Sequence, residues 1–302
     1  MKFLDVKTDF AFKKVFGSDT SKETLISFLN ALIYENKKIK IKDLTIVDPY
    51  NIPLLDGMKN SFVDVKAILN DETKVIIEMQ VLNHAGFEKR VLYNLAKNYS
   101  IQLNKAEDYH LLNPVIALNI VDFVMFKESS KVITNFKLLE KEEFIDYCDD
   151  IELIFIELPK FKKELFELKS LTDEWIYFIK NAGSLEYIPK DLNTNIKNSF
   201  DMLNEANLSR EELETQHKRK EFISIQKLAI LKASNDGMSK GLQEGLEKGL
   251  KQGLEEGRKV ERMKLIVNAY KNGTPTNLIG SFVGMHEDEI IALLREAENL
   301  CL

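Results

Sequence analysis

Asp64, Glu78 and Gln80 are the residues of this chain whose types and spacing could do chemistry. They stand in two short, branched, alternating segments, Ser61 to Leu69 and Lys74 to Leu82, separated by the turn-rich Asn70-Asp71-Glu72-Thr73. Side chains alternate across a strand, so Asp64 and Lys66 share one face, and Glu78 and Gln80 share one face of the next strand. The two faces coincide only if paired residue numbers have an even sum. That requires a loop of odd length, such as the three residues Asn70 to Glu72, with Asn or Asp taking a left-handed position. A two- or four-residue loop would put the acids on opposite faces. Phe62, Val63, Val75, Ile76, Ile77 and Val81 flank the acids. An unpaired carboxylate in such surroundings costs several kcal/mol, and a bound cation offsets that cost. The same acids could instead occupy a solvated edge or pair with Lys66 and Arg90.

Composition narrows the cation. His84, His110, His217 and His286 show no metal-ligand spacing, and Cys148 and Cys301 lie far apart, so neither a zinc motif nor a disulfide framework is supported. A metal here would be a hard cation on oxygen ligands, which points to magnesium or manganese. The 302 residues, 44% hydrophobic, suffice for one large domain with an appendage or for two domains. A net charge of -6 argues against a chain coated in basic residues to wrap nucleic acid. Two basic runs, Lys37-Lys38 with Lys40 and Lys42, and His217-Lys218-Arg219-Lys220, read as solvated faces. Charge begins at Lys2, and no apolar run reaches membrane-spanning length, so the expectation is a soluble cytoplasmic protein without a membrane partner.

The elements that must position the acids follow from periodicity. Residues 8 to 17 read as a short amphipathic helix between Thr8 and Gly17, and a second helix runs to about Ile33 with Leu25, Phe28, Leu29 and Leu32 on one face. Leu44 to Val47 and the two acid-bearing segments are strands. Residues 86 to 104 form a helix with Phe87, Val91, Leu95 and Tyr99 along one face. Pro114 to Val121 and Asp150 to Leu158 are nearly continuous apolar runs suited to buried central strands. The expected fold is α/β, a mixed sheet flanked by helices, with a domain over residues 1–199 and a helical C-terminal region over 200–302.

The order of Asp64, a turn, and then Glu78-Met79-Gln80 resembles the two central motifs of the PD-(D/E)XK nuclease superfamily, where an acid ends one strand and acid-x-Lys follows on the next. Together with Thr8-Asp9-Phe10-Ala11-Phe12-Lys13-Lys14-Val15-Phe16-Gly17, with Arg90 and Tyr93, and with the glycine-rich tail, these residues resemble the Rpn group, recombination-promoting nucleases related to transposases. The likeness covers most of residues 1 to 125 and, more loosely, the tail. It implies a restriction-endonuclease-like fold and a magnesium-dependent DNA endonuclease, with manganese as an alternative. It further implies that Asp64 and Glu78 ligate the metal, with the Met79 carbonyl as a further oxygen, and that Asp9 orients water or a second metal. Gln80 departs from the superfamily pattern, where Lys is usual, although Gln is common there in the Rpn group. An amide can position water but cannot offset phosphate charge, and Lys66 could supply part of that charge. Arg90 would bind a DNA phosphate or brace Glu78, with Tyr93 in support, and a buried Arg paired to a core acid is the plainer reading. Lys13 and Lys14 would touch the DNA backbone or simply cover a solvated helix face.

In the tail, Gly237, Gly241, Gly245, Gly249, Gly253 and Gly257 recur every fourth residue. Six helical glycines cost about 1 kcal/mol each relative to Ala, so a helix over 237–257 needs packing to compensate, through a second copy of the chain or the body of the protein. A flexible linker is the alternative. Residues 262–298 read as a small helical unit resembling a helix-turn-helix, suited to oligomer or partner contact as well as to DNA. Two rivals to the nuclease reading stand: a nuclease-fold protein that binds without cutting, and a self-associating adaptor.

Overall fold

The computed structural model describes residues 1–35, 40–51 and 61–299. Lys37, Lys38 and Cys301 lie outside the described residues. The chain divides into two compact units, Met1–Lys227 and Leu228–Leu302, so the first runs past residue 199.

The first unit opens with α1 (Asp9–Phe16) and α2 (Lys22–Leu32). Thr8 and Gly17 bracket α1, but the Thr8 hydroxyl donates to the Asp5 carbonyl at 2.9 Å instead of capping the helix. The strands β1 (Leu44–Val47), β2 (Tyr50–Asn51), β3 (Ser61–Phe62), β4 (Val65–Leu69) and β5 (Lys74–Gln80) follow, then α3 (Phe87–Ser100). After α3 come β6 (Val115–Val121), β7 (Ile133–Lys137), β8 (Ile151–Glu157), α4 (Leu171–Asn181) and α5 (Thr194–Leu203). Six strands form one mixed sheet in the order β1-β4-β5-β6-β8-β7, in which β5, β6 and β8 run parallel and the other pairings are antiparallel. This is the α/β architecture expected. The strand β7 has no counterpart in the sequence reading. It sits at the sheet edge with only Ile133 and Thr134 half-buried, so the apolar signal that marks β6 and β8 is missing there.

The hairpin β4–β5 closes with the odd loop that the acids require. Its register runs from Val65 opposite Ile77 to Ile68 opposite Lys74, and the Leu69 N–H donates to the Thr73 carbonyl at 2.9 Å, leaving Asn70, Asp71 and Glu72 as the loop. The left-handed residue is Glu72, at φ +66°, and neither Asn70 nor Asp71. Asp71 has another use: its carboxylate accepts the Thr73 N–H at 3.1 Å.

Period-two alternation assigns the two sheet faces. Val65, Ala67, Val75, Ile77, Leu118 and Ile154 point into the main core, where Phe12, Phe16, Phe28, Trp175, Phe178 and Phe200 from α1, α2, α4 and α5 pack. Ile76, Val115 and Ala117 point the other way, against Leu95 of α3. Glu78 and Gln80 belong to that second set, under α3.

The helix α6 (Arg210–Lys271) supplies residues to both units. In the second unit α7 (Thr276–Val283) and α8 (Glu287–Asn299) gather with α6 around Ile266, Ile279, Ile290 and Leu294, and Gly273 and Gly284 turn the chain at φ +83° and +68°. The six ladder glycines all lie in α6, and a Cβ placed at any of them would meet nothing within 4 Å. Packing that compensates their helix cost is therefore not supplied among the described residues. No helix among them is long and apolar enough to cross a membrane.

Candidate active site

The β4 ladder breaks at Asp64, which lies in a bend between β3 and β4. Its N–H donates to the Ile77 carbonyl at 3.1 Å, and its Oδ2 accepts the Met79 N–H at 2.7 Å, so the carboxylate takes the place of a ladder carbonyl. Extending the register by one pair sets Asp64 opposite Glu78. The two carboxylates, with Asp9, Lys7, Met79, Gln80, Arg90 and Arg219, line one cleft of about 240 Å3.

The electrostatics of the two acids differ. Burial pushes the Asp64 carboxyl up to about 7, the Met79 N–H pulls against it, and a hydrogen bond and negative charge from Asp9 push further in the same direction. Asp9 is itself paired with Lys13, at 3.0 Å. Glu78 is only 6% exposed, yet both its oxygens are served: Oε2 accepts from the Arg90 guanidinium at 3.1 Å and Oε1 accepts from the Asn94 amide at 2.6 Å. Arg90 also donates to Gln80 Oε1 at 2.6 Å, and Gln80 Nε2 donates to the Leu82 carbonyl at 2.7 Å. The amide at the position usual for Lys is thus committed to holding Arg90, which in turn holds Glu78.

Lys66 is not among the residues that line this cleft. It pairs across the sheet with Val47 and Ile76, and burial, with the neighbouring charge of Lys74, lowers its ammonium against the pull of Asp48. Lys14 lies 3.5 Å from Glu212 and over the Phe10 ring. Tyr93 is 38% exposed and lines an adjoining pocket.

Three contributors escaped the sequence reading. Asn94 stands four residues after Arg90 and so shares its helix face, a spacing that could have identified it. Lys7 precedes α1, near Asp5 and Asp122, each at 3.8 Å. Arg219 belongs to the run 217–220, which reads as a solvated face; with Phe222 and Ile223 it brings α6 into the cleft wall. Only tertiary packing reveals these last two.

The donor set suits a hard cation. On a strand a residue's N–H and C=O leave by the same edge, so the Met79 carbonyl faces the Asp64 side, beyond the end of β4. Asp64, Glu78 and that carbonyl offer oxygen only. Magnesium commonly takes one or two carboxylates and keeps several waters. No group of three or more His, Cys, Asp or Glu close enough to hold a metal occurs among the described residues. The half-buried Asp64 beside Asp9 is a place where a cation would relieve repulsion.

No curated protein and no solved structure matches the chain. A family model described as PD-(D/E)XK nuclease family transposase matches residues 6–233, a stretch that contains the whole sheet, both acids and Arg219. Well over half of the chain is covered, and the protein belongs to that family.

Proposed function

We propose that the protein is a metal-dependent DNA endonuclease of the recombination-promoting type, hydrolysing phosphodiester bonds in the cleft between Asp64, Glu78 and Arg219. The observation that carries this reading is the meeting in one cleft of the buried Glu78 of β5 and the half-buried Asp64 just before β4, within a PD-(D/E)XK family sheet, one fixed by Arg90 and Asn94 and the other by a backbone N–H. Asp64, Glu78 and the Met79 carbonyl would hold the cation, magnesium or manganese. When bound, it would polarise the scissile phosphate and favour ionisation of the attacking water.

The chain's own residues do the rest. The Met79 N–H fixes the Asp64 rotamer, and the Arg90–Asn94 pair fixes Glu78, so neither ligand must reorganise. Asp9, set beside the Asp64 carboxyl, would orient the attacking water or a second cation. Lys7 and Arg219 bring positive charge to the phosphate, the part that Gln80 cannot play. The test is supercoiled plasmid incubated with magnesium, manganese or EDTA, using wild type and Asp64→Ala. Metal-dependent nicking lost in the variant supports the reading; equal nicking by the variant overturns the site.

A separate reading concerns assembly. Leu242, Leu246, Leu250 and Leu254 are 57–74% exposed on α6, beside the glycine ladder. An exposed apolar stripe of this kind favours self-association. Solution mass of the full chain, compared with Leu246→Lys/Leu250→Lys, tests it: a drop to the monomer mass supports it, and a monomeric wild type refutes it.

A further inference from the structure

A second, larger pocket of about 670 Å3 adjoins the acid cleft and shares Phe62, Gln80, His84 and Arg90 with it. Its volume lies within the roughly 300–1,000 Å3 usual for small-molecule sites. Its walls carry aromatic rings that the fold leaves uncovered. Phe62 is stacked on Tyr50, with centroids 4.7 Å apart at 28°, and still remains 65% exposed. Tyr93 is 38% exposed on the α3 side. Arg90 lies over Phe87 at 5.3 Å, and Lys89 adds a second cation. Asn94, which lines the pocket, is 1% exposed, and its Oδ1 has no hydrogen-bond partner, although its Nδ2 serves Glu78.

These features fit one kind of occupant. Exposed aromatic faces suit a flat π-system, cations beside them suit an attached phosphate, and an unsatisfied buried acceptor suits an occupant carrying N–H groups. The opening toward Asp64 and Glu78 requires that the phosphate continue into the acid cleft. An apolar peptide side chain would use the rings and neither of the other two features. A base inside an intact duplex has both faces stacked on its neighbours and cannot reach the rings.

We propose that this pocket receives one unstacked nucleobase adjacent to the scissile phosphate, so that the substrate is single-stranded or locally unpaired DNA. The inference rests on the nuclease reading for the meaning of the acid cleft, but the binding it describes can be measured without cleavage. The experiment uses the full chain in EDTA with an oligonucleotide carrying one 2-aminopurine, as a single strand and as a duplex, and compares wild type with Phe62→Ala, Phe62→Tyr and Tyr93→Ala. Phe62 is exposed, so its replacement leaves the core intact.

The expected result is tighter binding of the single strand than of the duplex, and a 2-aminopurine signal that responds to wild type. Loss of one stacked ring weakens single-strand binding on the order of ten-fold, with duplex binding unchanged and Phe62→Tyr close to wild type. Single-strand binding that is unaffected in Phe62→Ala and Tyr93→Ala overturns the pocket, as does a wild type that prefers duplex or fails to bind the single strand. Phe62-dependent binding with no cleavage of the single strand or of plasmid in any metal keeps the pocket and removes the nuclease reading. Nicking without Phe62 dependence does the reverse.

Discussion

Replacing Asp64 by Asn should make the metal-free protein more stable at pH 8. The Asp64 carboxyl stands at about 7 in the folded chain against its ordinary value of 3.8, because burial and Asp9 both oppose its charge. A tenfold change in that ionisation is about 1.4 kcal/mol, so the full displacement is worth on the order of 4 kcal/mol, an upper figure because relaxation and water entry would relieve part of it. The sign follows from proton counting. Between about pH 4 and pH 7 the unfolded chain has released a proton that the folded chain retains, so stability falls as pH rises through that window and stays low above it. Asn carries no charge to penalise, and its amide can still accept the Met79 N–H and donate to Asp9. Urea denaturation of wild type and Asp64→Asn at pH 4.5 and pH 8, without metal, should show a gain of roughly 1–4 kcal/mol for the variant at pH 8 that shrinks at pH 4.5. Added magnesium should raise the midpoint of wild type and leave the variant where it was. A variant less stable than wild type at pH 8, or one stabilised equally at both pH values, would refute the claim that Asp64 is held in an electrostatically unfavourable place.

Other residues make independent predictions. Glu72→Gly should stabilise the protein by about 1 kcal/mol, read as a shift in urea midpoint, because Glu72 sits at φ +66° where Gly pays no Cβ penalty. Glu157 is fully buried, accepts the Met125 and Phe126 N–H groups and pairs with Lys160, itself nearly buried. Glu157→Ala should cost roughly 3–5 kcal/mol in the same assay, because the Lys160 ammonium loses its carboxylate and keeps only the Phe126 carbonyl, and two N–H groups lose their acceptor. Arg219→Ala should weaken DNA binding across sequences and lower the slope of log affinity against log salt by about 1, as loss of one phosphate contact would.

The placement of the acids was legible because it rested on local rules. The alternation of 61–69 and 74–82, the turn composition between them and the even-sum condition together located Glu78 and Gln80 on one face and asked for the loop that Asn70, Asp71 and Glu72 form. The apolar runs of β6 and β8 announced buried central strands in the same local way. What stayed hidden depended on irregularity or distance. Nothing in the residues around Asp64 signals the bend in which its carboxylate accepts the Met79 N–H. Arg219 reaches the cleft from more than 130 residues away, and its neighbours in sequence are those of an ordinary solvated helix. Arg90 was visible as a partner for Glu78, whereas the role of Gln80 as its support was not, since an amide in a strand carries no sign of which group it will bind.

The most direct measurement is manganese binding, followed by the electron paramagnetic resonance signal of the free ion, in wild type, Asp64→Asn and Glu78→Gln at pH 8. The account predicts tight binding by wild type that each single substitution removes, while both variants remain folded. Binding that survives unchanged in both variants would contradict the assignment of Asp64 and Glu78 as the cation site.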